Sequence, residues 1–176
     1  MIDVLKIVNW FKVRNYSDMK TNDNVEALTQ LKVMKLLYYA QGVSLALYDK
    51  VLFSEKILAW KYGPAVQEVH DVYKGSRAIV DFTSDGMSDE EIRDYQEVNS
   101  NQKVALILNA VVDAYGDMSA IELMEQTHEE APWLETSQSQ EIDVDLIKDF
   151  FVREIVELKK IKKVKKVKSK NQKIKI

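Results

Sequence analysis

Cysteine is absent from this 176-residue chain, and histidine, proline and glycine are scarce, at two, two and five residues. Without thiols there is no disulfide framework, no thiolate zinc site and no cysteine nucleophile, a composition that fits a reducing compartment. Two histidines, His70 and His128, leave little room for metal sites or imidazole catalysis. No glycine-rich phosphate loop and no Gly-x-Ser-x-Gly elbow occurs. Long apolar runs are missing too. The richest, Val104 to Val112, is broken by Asn109 and is about half of the roughly 20 residues needed to cross a bilayer. The start, Met1 to Phe11, carries Asp3 and Lys6 and lacks the small-residue cleavage site of a signal peptide. A cytoplasmic protein with no membrane association is expected.

What is present can fill a core: 46% of residues are apolar and 9% aromatic, which excludes wholesale disorder. The formal net charge of -3 conceals an uneven distribution. Residues 157–176 hold ten lysines against the single acid Glu157, a local charge of +9. The preceding 156 residues carry 15 basic and 27 acidic side chains, or -12. The chain reads as an acidic body, residues 1–156, followed by a lysine-rich tail that is either a helical extension or disordered.

Helical periodicity dominates the body. Val4, Leu5, Val8 and Phe11 mark a first amphipathic helix ending near Asn15, with a polar linker over residues 13–24. Thr29 is the expected N-cap of a helix from Gln30 to Tyr48. Leu31, Met34, Leu37, Tyr38 and Leu45 form one apolar face of it, and Val33, Leu36, Ala40, Val43 and Leu47 a second, so this helix should be central. Gly42 inside it predicts a close helix crossing. Val51-Leu52-Phe53 and Ile57-Leu58-Ala59-Trp60 suit a small β-hairpin. Gly63-Pro64 predicts a turn, with Pro64 opening a helix to about Lys74 that points Val66, Val69, Val72 and Tyr73 inward and stops at Gly75. Residues 76–86 read as loop with a strand possible only at Ala78 to Phe82.

Capping boxes at Ser88–Glu91 and Ser119–Glu122 start two further helices. The first weakens at Asn99-Ser100-Asn101, resumes and stops at Gly116; the second runs to about Thr127 and is closed off by Pro132. Asp143 or Asp145 opens a last helix through Ile147, Phe150, Phe151 and Ile155. The expected fold class is mainly α: a compact single helical domain with a small β-hairpin and a basic C-terminal extension.

Catalytic chemistry finds no support. His128-Glu129-Glu130 lacks the second histidine of a zinc-protease helix, and Pro132 interrupts the place where that helix would continue. Glu125 and Glu129 read as a solvated face. His70, between Val69 and Val72, reads as a packed or surface residue. Two aromatic clusters stand out: Trp60-Lys61-Tyr62-Gly63-Pro64, and Thr127-His128-Glu129-Glu130-Ala131-Pro132-Trp133. Each serves either to cap the core or to present a binding surface, because Trp and Tyr dominate interface hot spots. The tail has three readings: a solvated extension, a phosphate-binding segment for nucleic acid, or a helix whose Ile161, Val164 and Val167 dock on a partner or on the acidic body.

The segment Leu28-Thr-Gln-Leu-Lys-Val-Met-Lys-Leu-Leu-Tyr-Tyr-Ala-Gln-Gly42 resembles the central helix of the SocA-like antitoxin family, the Panacea domain. Leu52-Phe53, Ala59-Trp60-Lys61-Tyr62-Gly63-Pro64 and Glu68-Val69 are similar to its next block in order and spacing. Tyr115-Gly116, Ser119-Ala120, Leu123, Thr127-His128, Glu130 and Pro132-Trp133 resemble its C-terminal block, and Asp3-Val4 fits its opening helix. The likeness covers residues 1 to about 135. Lys50-Val51 departs from it where the family often has a proline before the leucine.

The resemblance implies a bacterial or phage-encoded, phage-associated antitoxin of a toxin–antitoxin system. Such proteins neutralise small toxins, generally encoded in the same operon, by direct binding; one branch instead delivers its toxin to a ClpXP-type protease. The expected protein is therefore not an enzyme and needs no cofactor or metal. Its expected partner is a cognate toxin protein. The alternatives are the proteolytic adaptor, and a nucleic-acid-associated regulator acting through Lys159, Lys160, Lys162, Lys163, Lys165 and Lys166. The residues proposed to contact the toxin are Trp60, Tyr62, Pro64, His70, His128, Glu130 and Trp133.

Overall fold

The computed structural model describes residues 1–81 and 86–154. It is mainly α, with one two-stranded antiparallel sheet. In chain order the elements are α1 (Val4–Thr21), α2 (Gln30–Tyr48), β1 (Ile57–Trp60), β2 (Gly63–Val66), α3 (Gln67–Tyr73), α4 (Asp89–Ser100), α5 (Gln102–Tyr115), α6 (Ala120–His128), α7 (Ala131–Leu134) and α8 (residues 144–154). The lysine-rich tail, Ile155 and Phe82 lie outside the described residues.

Helix α2 is the axis. It packs against α1, α3, α5, α6 and β2, and residues 33–42 are buried without interruption. Thr29 caps it as the sequence predicts, its hydroxyl accepting from Lys32 N at 3.1 Å. A helix enclosed this completely also buries polar side chains, and each must find a partner. Gln41 donates to Phe53 O at 3.1 Å and accepts from Leu52 N at 2.7 Å. Ser44 donates to Lys50 O at 2.7 Å. These bonds hold residues 50–53 as an irregular connection, and the expected strand at Val51-Leu52-Phe53 does not form. Gly42 fulfils the expected close crossing: a Cβ there would lie 2.2 Å from the Phe151 ring of α8.

Helix α1 runs to Thr21, six residues past its expected end. Its final turns are polar because they face outward, not because they are a linker. Arg14 pairs with Asp18 one turn on at 3.0 Å, while Tyr16 and Met19 pack against the core. The helix is fastened to α4 by polar contacts around a buried tryptophan. Trp10 Nε1 donates to Asn99 Oδ1 at 2.9 Å and its ring stacks on Tyr95. Lys6 pairs with Glu97 at 2.6 Å, Asn9 donates to Asp94 at 2.8 Å, and Lys12 pairs with Glu91.

The hairpin is formed by β1 with β2, in the register Ile57↔Val66 to Trp60↔Gly63, and not by β1 with residues 51–53. Pro64 therefore sits in a strand instead of opening a helix, and α3 begins at Gln67. The register explains how a proline is accommodated. Its partner Ala59 bonds away from β2, donating to Gln140 O at 2.8 Å and accepting from Ser139 N at 2.7 Å. Ala59–Pro64 is thus a non-hydrogen-bonded pair, where the missing proline N–H removes no ladder bond. Val72 of α3 faces outward, against expectation, while Val69 is buried. Gly75, at φ +85°, closes the helix as expected.

Both capping boxes are present, at Ser88–Glu91 and Ser119–Glu122. Asn101 both ends α4 and caps α5, which accounts for the expected weak point. Over the described part of the possible strand, residues 78–81, pairing is limited to the isolated bridge Thr29↔Ala78. Pro132 does not terminate the helical region but stands in the first turn of α7, where its missing donor is harmless. Asp143, not Asp145, caps α8, accepting from Asp145 N at 2.7 Å.

The Gly42–Phe151 contact is testable. Gly42→Ala forces the ring aside, so chemical denaturation should show a loss of about 1–3 kcal/mol despite alanine's better helix propensity. Combining it with Phe151→Leu should return part of that loss.

Candidate functional site

The two aromatic clusters, about seventy residues apart in sequence, meet in the fold. Trp133 Nε1 donates to Trp60 O at 2.9 Å, across a sequence separation of 73. His128 stacks on Trp133 with ring centroids 4.0 Å apart, and His70 meets the Trp60 ring edge-on at 5.0 Å. A continuous row, His128–Trp133–Trp60–His70, therefore links the end of α6, α7, the hairpin and α3.

Beside this row lies an apolar groove of about 470 Å³ between α2, the hairpin, α3 and α6. Leu31 and Met34 of α2 form one wall, Ile121 and Met124 of α6 another, and Trp60, Tyr62 and His70 the third. Tyr62 is 59% exposed and Ile121 55% exposed, so the lips offer apolar surface to solvent. Of the candidate residues, Trp60, Tyr62 and His70 line the groove. His128 and Trp133 stand half-buried behind the Trp60 backbone. Pro64 and Glu130 are buried and face inward.

Local chemistry explains the approach of β2 to α6. Gly63 takes φ +90°, a conformation that suits glycine. A Cβ there would stand 2.6 Å from Thr127 Oγ1 and 2.9 Å from Lys35 Cε. The absent side chain lets three elements converge on one point.

At that point lies Lys35, a groove-lining residue that sequence reasoning did not single out. It is 1% exposed, and its ammonium donates to Pro64 O at 2.8 Å. Among the described residues no carboxylate stands within ion-pair distance of it. Burial alone pushes its pKa from the ordinary 10.5 down to about 7. A signal for this residue did exist. Lys35 interrupts Val33-Met34-Lys35-Leu36-Leu37 on a helix whose whole circumference reads as buried. In the sequence Leu31 and Met34 belong to an apolar face of the central helix, while Ile121 and Met124 merely lie in the helix that Ser119 caps.

Glu130 forms a second buried polar cluster. It is 7% exposed and accepts from Tyr39 Oη at 3.0 Å and from Gln126 Nε2 at 3.3 Å. Tyr39 stacks on Tyr115 at 3.9 Å. Glu130 Oε2 and Tyr38 Oη have no partner of hydrogen-bonding geometry among the described residues, though the two groups are close enough to influence one another. Burial raises the Glu130 pKa and, with the nearby carboxylate, raises those of Tyr38 and Tyr39. Tyr115 is pushed up to about 12, again chiefly by burial. His128 is lowered by burial and by Lys35, opposed by the Lys61 backbone. These phenols and carboxylate hold α2 against α6 and α7 from beneath the aromatic row.

Among the described residues no group of three His, Asp or Glu side chains is placed to hold a metal ion. No single helix there is long and apolar enough to cross a membrane. A polar hollow of about 550 Å³ lies elsewhere, lined by Arg14, Asp18, Lys32 and Asp113 among others. There Lys32 donates to Gly116 O at 2.6 Å.

The depressed Lys35 pKa has a direct consequence for stability. Between pH 7 and 10.5 the unfolded chain binds the lysine proton and the folded chain releases it, so stability should rise with pH. The slope should reach about 1.4 kcal/mol per pH unit. Below pH 7 both states are protonated and the full cost of burying the charge remains. The buried tyrosines act oppositely, but only near and above pH 10, where free phenols ionise. Denaturation of wild type and Lys35→Met between pH 7 and 9.5 should show a clearly smaller upward slope in the variant, where only the milder burial-lowered Lys32 remains.

Comparison with known proteins completes the picture. The family model described as antitoxin SocA-like, Panacea domain, matches residues 33–134. No curated protein and no solved structure matches the chain.

Proposed function

Because the chain belongs to the SocA-like antitoxin family defined by the Panacea domain, we propose that it neutralises a cognate small toxin protein by direct binding. The groove between α2, the hairpin and α6 is the proposed contact surface. The observation that carries this reading is the assembly of Trp60, Tyr62 and His70 with Ile121 and Met124 around one apolar hollow. Aromatic anchors beside a desolvated pocket supply most of the energy in protein interfaces. Met34 and Met124 add side chains that repack around differently shaped partners.

An ordinary single-partner interface covers about 800 Å² on each side. The groove and its lips would form the centre of such a patch, with Trp133 and His128 fixing the Trp60 backbone from behind. Under this reading Pro64 and Glu130 support the surface instead of touching the partner. Delivery of the toxin to a ClpXP-type protease would use the same groove to hold the toxin. Nucleic-acid binding would fall to the lysines of residues 157–176, and their deletion would remove it while leaving neutralisation in place.

The test is co-expression with the small neighbouring reading frame, followed by growth measurement and co-purification. That frame should be toxic alone and harmless beside this protein. Ile121→Glu, at an exposed position, should change stability by no more than about 0.5 kcal/mol. It should nevertheless weaken toxin capture by about thirtyfold or more, as should Trp60→Ala. A harmless neighbouring frame, or undiminished neutralisation by Ile121→Glu, would remove the support for this surface.

A further inference from the structure

Lys35 is an unusual residue to find on the floor of an apolar groove. Its side chain is enclosed by α2, β2 and α6, and Pro64 O is its one hydrogen-bond partner among the described residues. An ammonium has three donors, so the charge is buried, incompletely bonded and uncompensated. Buried charges are ordinarily paired. Around it the groove wall is mostly apolar, with Leu31, Met34, Trp60, Ala65, Ile121 and Met124, while Gln30, Tyr62 and His70 add polar groups.

We propose that Lys35 is the anchor for a carboxylate on the bound partner polypeptide, whose flanking apolar side chains fill the groove between Met34, Trp60 and Ile121. The proposal rests on the reading of this groove as the partner-binding surface. Charge complementarity selects the occupant. An incoming carboxylate supplies the counter-charge that the fold omits, and it does so in a desolvated site where a charge-assisted hydrogen bond is strongest. A cationic or purely apolar segment would leave the ammonium unpaired, so the same residue excludes the wrong partner. Burial has already moved the Lys35 pKa to about 7, and a paired carboxylate would hold the amine in its charged form. The chemistry required of the partner is narrow: one Glu, Asp or chain-terminal carboxylate beside one or two large apolar side chains.

Phenylbutyrate and phenylbutyramide provide matched probes, equal in apolar bulk and differing in charge. Titrated into the full chain and followed by backbone amide NMR, the acid should shift the resonances of Trp60, Ala65 and Ile121. It should bind at least about tenfold more tightly than the amide. Lys35→Met should abolish that preference while leaving amide binding in place, an outcome that a purely structural lysine would not produce. The wild-type comparison needs no variant, so equal binding of acid and amide refutes the proposal even if Lys35→Met fails to fold.

Equal binding of acid and amide, a preference that survives Lys35→Met, or no response of the groove to the acid would each overturn the proposal. A co-purifying partner then separates this inference from the one beneath it. Capture indifferent to Ile121→Glu rejects the groove itself, and the proposal with it. Capture that needs Ile121 but ignores both Lys35→Met and acid-to-amide changes on the partner rejects only the carboxylate anchor.

Discussion

Complete enclosure of α2 is the constraint on which the rest of the structure depends. Over residues 33–42 the helix is buried on every side, and Lys35, Gln41 and, one turn on, Ser44 each reach a backbone group of another segment. Ser44 holds Lys50, Gln41 holds Leu52 and Phe53, and Lys35 holds Pro64. Near the N-terminal end Gln30 reaches the carbonyl of His70, and Lys32 that of Gly116. Apolar burial supplies the driving force for collapse, while these directional bonds decide which stretches of non-helical chain lie against which turn of the helix. Hairpin and loops are thereby positioned from the inside.

The site inherits its geometry from that arrangement. Trp60 is placed by β1, its carbonyl is fixed by Trp133, and its ring is met by His70. Gly63 brings β2 close enough for Lys35 to reach the Pro64 carbonyl, which faces α2 because the hairpin register turns it away from β1. The rigid parts are therefore the aromatic row and the hairpin. The adaptable parts are the methionines and the exposed Tyr62 and Ile121. A fixed frame with a soft lining is what the proposed partner-binding role calls for.

Much of the fold was legible because the signals are local. Thr29, Ser88 and Ser119 act within three residues of themselves, so their capping roles can be read from the string of residues alone, whereas the choice of Asp143 over Asp145 needed the structure. The hairpin was not legible in the same way. Pro64 satisfies the rules for a helix start equally well, and only the bonds of Ala59 to residues 139 and 140 show why a strand tolerates it. The length of α1 was hidden because its last turns are stabilised by Arg14–Asp18 and by packing of Tyr16 and Met19, with no apolar stripe to announce them. Trp60, Tyr62 and His70 were identifiable from residue type. The groove was not, since Ile121 and Met124 become its wall only through the docking of α6 on α2, a long-range event. Lys35 sits between these cases: its oddity was visible in the sequence, its destination was not.

Phe151 lies seventeen residues beyond the last position shared with the family, yet its ring rests on Gly42 in the middle of the shared central helix. In this chain the stretch that matches the family therefore does not close its own interior. Over residues 33–134 alone, one side of α2 would stand bare at Gly42, and Phe151 supplies the lid. In this chain the lid is an aromatic from a C-terminal helix, and that helix leads directly into the lysine-rich tail. A truncation that reached Phe151 would then do more than trim the surface, because that ring keeps water off the axis of the fold.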